Sequence, residues 1–252
     1  MTSYPTDSFC LNGKVIVITG ASSGIGASVA QSCARLGAKV VLTGRDAVRL
    51  QTVSSSLPGS LHQTVVGDLL DGATLEAIIN SEESFDGLVS CAGIASLVPM
   101  RMSSQGYLKG LLDVNYVAPM DLTRLMIQSK KLRHGSSLVY VSALSARAAP
   151  QAAGAYSASK AALEAAVRTI GLEHAKHRIR ANCIAPGYVE TPMLQKLSGT
   201  SNLTQKISLA PLGTLTPDDV APAAVWLLSS ASKWITRSTL TIDGGISLPI
   251  RS

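Results

Sequence analysis

Short, near-continuous apolar runs alternate with amphipathic stretches along almost the whole chain. The runs at 14–19, 39–43, 63–66, 87–90, 137–142 and 180–184 read as strands, and so does a last one at 239–242. Several lack the in-out alternation of a half-exposed strand, as expected of parallel strands covered on both faces. Between them, apolar positions recur at helical spacing over 24–36, 46–57, 72–80, 107–132, 156–177 and 217–229. Strand–helix alternation of this kind predicts an α/β fold, a doubly wound parallel sheet. The stretch 188–212, rich in Ser, Gly, Thr and Pro, has no clear period and reads as a lid over a substrate. No repeat or low-complexity linker divides the chain, so residues 1–252 read as one domain with that lid.

The composition fits this picture. Apolar residues make up 46% of the 252 positions and charged residues 15%, which is enough for a large core and excludes a disordered chain. The four cysteines (Cys10, Cys33, Cys91, Cys183) are widely spaced, with no C-x-x-C pair, and read as reduced thiols of a cytoplasmic protein. Residues 1–13 show neither the basic start nor the apolar run of a secretory signal, and no apolar run approaches the roughly 20 residues of a membrane span. The 22 Lys and Arg against 16 Asp and Glu leave a charge of +6. The basic residues form no stripe interleaved with aromatics, so nucleic acid is not expected as a partner. The densest basic runs, 130–134 and 174–180, read first as solvated helix ends. No metal is expected either: His174 and His177 share a helix face, but only Glu173 accompanies them.

The first strand runs into Thr19-Gly20-Ala21-Ser22-Ser23-Gly24-Ile25-Gly26, which opens a helix. Glycines there permit a tight turn and close backbone approach, while the helix N-terminus offers free N–H groups to a pyrophosphate. Gly20 to Gly24 also fit the G-x-S-x-G elbow of α/β-hydrolases. A hydrolase needs a late triad histidine, however, and the histidines (His62, His134, His174, His177) end at position 177. The second strand ends Thr43-Gly44-Arg45, without the acidic residue that binds an NAD ribose. A guanidinium at that point suits a 2′-phosphate, so NADP(H) is the expected cofactor. Asp46 reads as the cap of the next helix.

Tyr156 and Lys160 lie four residues apart at the start of an Ala-rich helix and so share a face. Forming tyrosinate at pH 7 from a free phenol costs about 4 kcal/mol, which a nearby ammonium and a cationic nicotinamide would lower. Ser142, at the end of the preceding apolar run, is a candidate partner for a substrate oxygen.

Taken together these residues resemble the short-chain dehydrogenase/reductase family, over nearly the whole chain. The resemblance rests on Thr19–Gly26, Asp68-Leu69, Cys91-Ala92-Gly93, Asn115, Ser142, Tyr156, Lys160, Pro186-Gly187 with Thr191, and Asp243-Gly244-Gly245, in the family's order. It implies hydride transfer between a nicotinamide and a carbonyl or secondary alcohol, with Tyr156 as general acid or base. Ser142 would orient the substrate oxygen, Lys160 would hold the nicotinamide ribose and lower the tyrosine pKa, and Asn115 would anchor a relay water. It also implies cofactor contacts from Gly20, Ser22, Ser23, Gly24, Ile25 and Gly26, from Arg45, Asp68 and Leu69, from Cys91, Ala92 and Gly93, and from Pro186, Gly187, Val189 and Thr191. Where the family usually reads Asn-Asn-Ala-Gly, this chain has Ser90-Cys91-Ala92-Gly93, which removes two side-chain amides beside the cofactor.

The substrate is less legible. The pattern is similar to 3-oxoacyl-carrier-protein reductases, which implies a carrier-bound acyl chain as one alternative to a small free carbonyl. Arg133 would then be one docking residue, while the second position falls on His177 between Lys176 and Arg178. Tyr188, Met193, Leu194 and Leu197 suggest a partly apolar pocket, with 198–202 as a flexible part of the lid. A silent NADP(H)-binding regulator is the non-enzyme alternative, and it is disfavoured by the intact Ser142, Tyr156, Lys160 and Asn115. The resemblance further implies a homodimer or homotetramer through the helices at 107–132 and 156–177.

Overall fold

The computed structural model describes residues 6–197 and 210–247. Seven strands form one parallel sheet: β1 (Val15–Thr19), β2 (Lys39–Gly44), β3 (Gln63–Val66), β4 (Phe85–Ser90), β5 (Leu132–Val141), β6 (Arg180–Pro186) and β7 (Thr239–Ile242). Their order is β3-β2-β1-β4-β5-β6-β7, so the winding reverses between β1 and β4, where Ile16 lies opposite Val40 on one side and Gly87 on the other. The expected doubly wound α/β fold is therefore present.

The helices are α1 (Gly24–Arg35), α2 (Ala47–Ser56), α3 (Gly72–Asn80), α4 (Gln105–Leu112), α5 (Ala118–Gln128), α6 (Ser145–Ala148), α7 (Gly154–Glu173), α8 (Pro192–Leu197) and α9 (Pro217–Leu228). Strand alternation sends successive side chains to opposite faces. Ile16, Ile18, Val40 and Leu42 pack with Val29 and Cys33 of α1 and Val220 and Ala224 of α9. Val15, Val17 and Val41 pack with Leu75 and Ile78 of α3, Leu122 and Met126 of α5, and Leu163 and Val167 of α7. Two buried layers on one sheet explain why the strands read as continuous apolar runs.

The helices differ from the sequence reading in three respects. The apolar period over 107–132 is not one helix: a π turn at Asp113–Val117 separates α4 from α5, and 132 already belongs to β5. The stretch 156–177 is helical from Gly154 to Glu173, followed by a 3-10 turn at Ala175–His177. The short helices α6 and α8 were not expected, and α8 lies inside the stretch read as a lid. The 198–202 segment of that lid lies outside the described residues.

Buried Arg180 clasps the far end of the sheet. Its Nη2 donates to the Leu227 and Ser229 carbonyls at 2.7 and 3.2 Å, at the C-terminus of α9, where a cation is favoured. All four cysteines are free thiols. Among the described residues no helix is long and apolar enough to cross a membrane. Likewise no three His, Cys, Asp or Glu side chains gather to hold a metal ion.

Candidate functional site

The residues expected to bind cofactor lie at the carboxyl ends of the strands, around the point where the winding reverses. Open α/β sheets bind ligands in this crevice. The turn after β1 can only be built from glycine at two positions. A Cβ on Gly20 (φ +65°) would stand 2.8 Å from the Ala92 nitrogen, and one on Gly26 would run into the Gly20 carbonyl oxygen. The turn thus presses on the β4 loop, where Ala92 N–H donates to Thr19 Oγ1 at 3.1 Å. Ser23 caps α1 in extended geometry with no side-chain hydrogen bond to the helix, which leaves the first-turn N–H groups facing the crevice. Thr191 closes the crevice from the other side: its Cγ2 lies 3.1 Å from the place of a Cβ on Gly24 (φ +55°).

At the end of β2, Ser22 Oγ lies 3.3 Å from the place of a Cβ on Gly44. Arg45 follows, its side chain 70% exposed and its guanidinium 3.7 Å from the Asp68 carboxylate. Such an exposed ion pair holds weakly, so the guanidinium can turn to a stronger anion. Asp46 caps α2 as expected, accepting from Arg49 N–H at 3.0 Å. Leu69 follows Asp68 beyond β3, and Asp68 accepts from the Leu70 N–H. On the far side, Pro186 ends β6 and Gly187 packs against Asp243, while Val189 is bridged to Leu215.

The candidate reacting groups collect where β4, β5 and α7 meet. Asn115, in the π turn, accepts from Ile94 N–H at 2.8 Å and donates to the Ile94 carbonyl at 2.9 Å and to Ser159 Oγ at 3.0 Å. Those bonds set the loop after β4 against α7 next to Lys160, whose Nζ lies 3.4 Å from the place of a Cβ on Gly93. Lys160 is buried, donates to the Val141 carbonyl at 2.8 Å, and has its pKa lowered by burial to about 8. Tyr156 stands one turn earlier, its phenol pushed up by burial to about 12. Burial is the cause of that rise, and the Lys160 ammonium donates to the Val141 carbonyl. A phenol held protonated is a proton donor in waiting. The Cys91 thiol is raised by burial to about 12 and is no nucleophile.

Ser142 is placed differently from the expectation. It follows β5 on the same face as Leu138 and Tyr140, which pack under α5 and α7. Its hydroxyl is 3% exposed at the residue level and donates to Glu164 Oε1 of α7 at 2.8 Å. Glu164 also meets Arg147 of α6 at 3.5 Å. The alternation of β5 carried this signal, since Ser142 is two positions from apolar Tyr140. The sequence reading also missed the loop over the start of α7, where Val98 N–H donates to the Ala152 carbonyl at 2.8 Å and Met100 reaches Gly154.

The two basic runs lie away from this site. Arg133 is near the start of β5, bonded to Asp86 Oδ2 at 2.7 Å and Ser84 Oγ at 2.8 Å. His177 follows the C-terminus of α7, whose 20 residues span about 30 Å.

Comparison with known proteins agrees with this geometry. The family model described as "Enoyl-(Acyl carrier protein) reductase" matches residues 20–247. A 3-oxoacyl-acyl-carrier-protein reductase of Rickettsia prowazekii is 32% identical over 239 residues, covering 94% of this chain and 98% of the relative. An NADP-dependent (R)-specific alcohol dehydrogenase of Lentilactobacillus kefiri is 32% identical over 244 residues, covering 93% and 97%. The crystal structure of a dehydrogenase/reductase from Sinorhizobium meliloti 1021 superposes with a TM-score of 0.89 at 29% identity, over 96% of this chain and 98% of that one. The chain belongs to the short-chain dehydrogenase/reductase family, a family of oxidoreductases that bind a nicotinamide cofactor.

Proposed function

We propose that this protein is an NADP(H)-dependent oxidoreductase that interconverts a carbonyl and a secondary alcohol, with Tyr156 as general acid and base. The observation that supports the reading is convergence at the carboxyl ends of the strands: the glycine turn meets the β4 loop and Thr191, and Lys160, one helical turn after Tyr156, lies beside Gly93 of that loop. When bound, the cofactor exchanges hydride with the carbon of the substrate's C–O group. Tyr156 donates its phenolic proton to the substrate oxygen in reduction and takes it back in oxidation. Lys160 supplies positive charge beside the phenol and, through a water held at the π turn, returns the proton. Asn115 fixes the wall against which Lys160 rests.

Arg45 favours the 2′-phosphate of NADP(H) because it is an exposed guanidinium held only by a weak pair at the end of β2. The NADP dependence of the Lentilactobacillus kefiri relative supports this preference. A cytoplasmic location is proposed with it. So is a dimer or tetramer built on the outer faces of α5 and α7, where Met120, Ile127 and Ile170 line a groove.

A small free carbonyl is the proposed substrate class. The Rickettsia prowazekii relative supports a carrier-bound acyl chain as a second reading. Against it, Arg133 is already paired with Asp86. The test is NADPH and NADH oxidation at 340 nm with an acetoacetyl thioester, a 3-ketoester, a diketone and a keto sugar. NADPH-preferring turnover of at least one carbonyl is expected. Preference for the thioester would move the assignment to acyl chains, and silence across the set in both cofactors would overturn the oxidoreductase reading.

A further inference from the structure

A carbonyl reductase needs a second group on the substrate oxygen besides the tyrosine, to align it and to stabilise the charge it gains. Ser142 is poorly placed for this. Its single proton goes to Glu164 at 2.8 Å, inside the layer formed by Leu138, Tyr140 and Leu163. Turning it to the crevice would leave a buried carboxylate short of a donor, which is unfavourable. Arg147 meets the other carboxylate oxygen at 3.5 Å and adds to the hold on Glu164. The next residue, on the opposite face, is Ala143, which has no hydroxyl.

Three residues on from Ser142 the chain carries another hydroxyl. Ser145 opens α6, in the segment that leaves the carboxyl edge of β5. The segment is fixed at that edge by two bonds to β6, Ser142 N–H to the Ile184 carbonyl at 2.7 Å and Leu144 N–H to the Pro186 carbonyl at 2.9 Å. Pro186 begins the loop expected to contact the cofactor, and α6 packs on α7, the helix that carries Tyr156. Ser145 Oγ is shut off from solvent and has no hydrogen-bond partner among the described residues. Buried hydroxyls are normally paired, and an orphan beside a site is explained when a ligand completes it. The other two orphan hydroxyls among the described residues, Thr43 and Ser157, lie within β2 and on the buried side of α7.

We propose that Ser145, rather than Ser142, supplies the hydroxyl that meets the substrate's reacting oxygen beside Tyr156. A hydroxyl both donates and accepts, so it serves the carbonyl in reduction and the alcohol in oxidation without a net proton transfer of its own. Glu164 and Arg147 then act as the clamp that keeps Ser142 out of the crevice. This inference rests on the oxidoreductase reading above.

The test compares Ser145→Ala, Ser145→Thr, Ser142→Ala and Tyr156→Phe on whichever carbonyl of the set above is reduced fastest. NADPH affinity is measured separately by fluorescence titration. Loss of a donor to a developing oxyanion costs about 100-fold or more in kcat. Ser145→Ala is expected to show that loss with NADPH affinity unchanged, Ser145→Thr to recover most of it, and Ser142→Ala to keep kcat within about 3-fold. Full activity of Ser145→Ala overturns the proposal whatever Ser142→Ala does. Equal loss in Ser145→Ala and Ser145→Thr overturns it too, since the hydroxyl would then be irrelevant. The parallel Tyr156→Phe separates the two levels. If that variant is dead while Ser145→Ala is active, only the present inference fails; if Tyr156→Phe turns over normally, the reading of the whole site fails.

Discussion

Asn115 Nδ2 donates to Ser159 Oγ at 3.0 Å, which ties the π turn between α4 and α5 to the residue just before Lys160. The same amide holds Ile94 through two further bonds, so one side chain sets the distance between the β4 loop and α7. Single-turn π segments are frequent at functional sites. Asn115→Leu removes all three bonds, so it should lower kcat by at least 10-fold and loosen the backbone at Ile94. Hydrogen exchange at the Ile94 amide checks this: faster exchange in the variant is expected, and unchanged exchange would remove Asn115 from this role.

Arg45 offers a prediction that separates the cofactors. Its guanidinium is exposed and paired only loosely with Asp68. Arg45→Ala should weaken NADPH binding by 10-fold or more and leave NADH nearly unchanged. Equal losses for both, measured by fluorescence titration, would mean that Arg45 does not read the phosphate.

Burial lowers the Lys160 pKa from 10.5 to about 8, which gives a pH signature. The unfolded chain holds that proton more tightly than the folded one, so the buried charge opposes folding below about pH 8. The penalty lifts as pH rises from about 8 to 10.5, and it amounts to roughly 3 kcal/mol at 1.36 kcal/mol per unit. Lys160→Met lacks this titration. The stability of the wild type minus that of the variant should therefore rise across this window, and denaturant unfolding at pH 7, 8.5 and 10 measures it. A difference independent of pH would contradict the burial of a titrating ammonium.

Most of the fold was legible because it rests on local signals. Short apolar runs such as 14–19, bounded by turn residues, fit strands buried on both faces, and the glycines of 20–26 fit a tight strand-to-helix turn. The π turn was hidden, because the apolar period of 107–132 runs through Asp113–Val117 without a break. Asn115 was found only by its place in the family's order. The Ser142 contact was hidden for a different reason: at a strand end one residue decides the face, and its partner Glu164 lies 22 positions away. Ser145 gave no signal in sequence, since an unpaired buried hydroxyl exists only once the chain is folded.

The central claim is that Tyr156 moves the proton while the crevice holds NADP(H). The most direct measurement is Tyr156→Phe, which removes one oxygen from a residue whose ring stays packed. Turnover with NADPH and the best carbonyl should fall by about 100- to 10,000-fold, the range for loss of a general acid. NADPH affinity should stay within a few-fold of the wild type. Wild-type turnover in the variant would contradict the account.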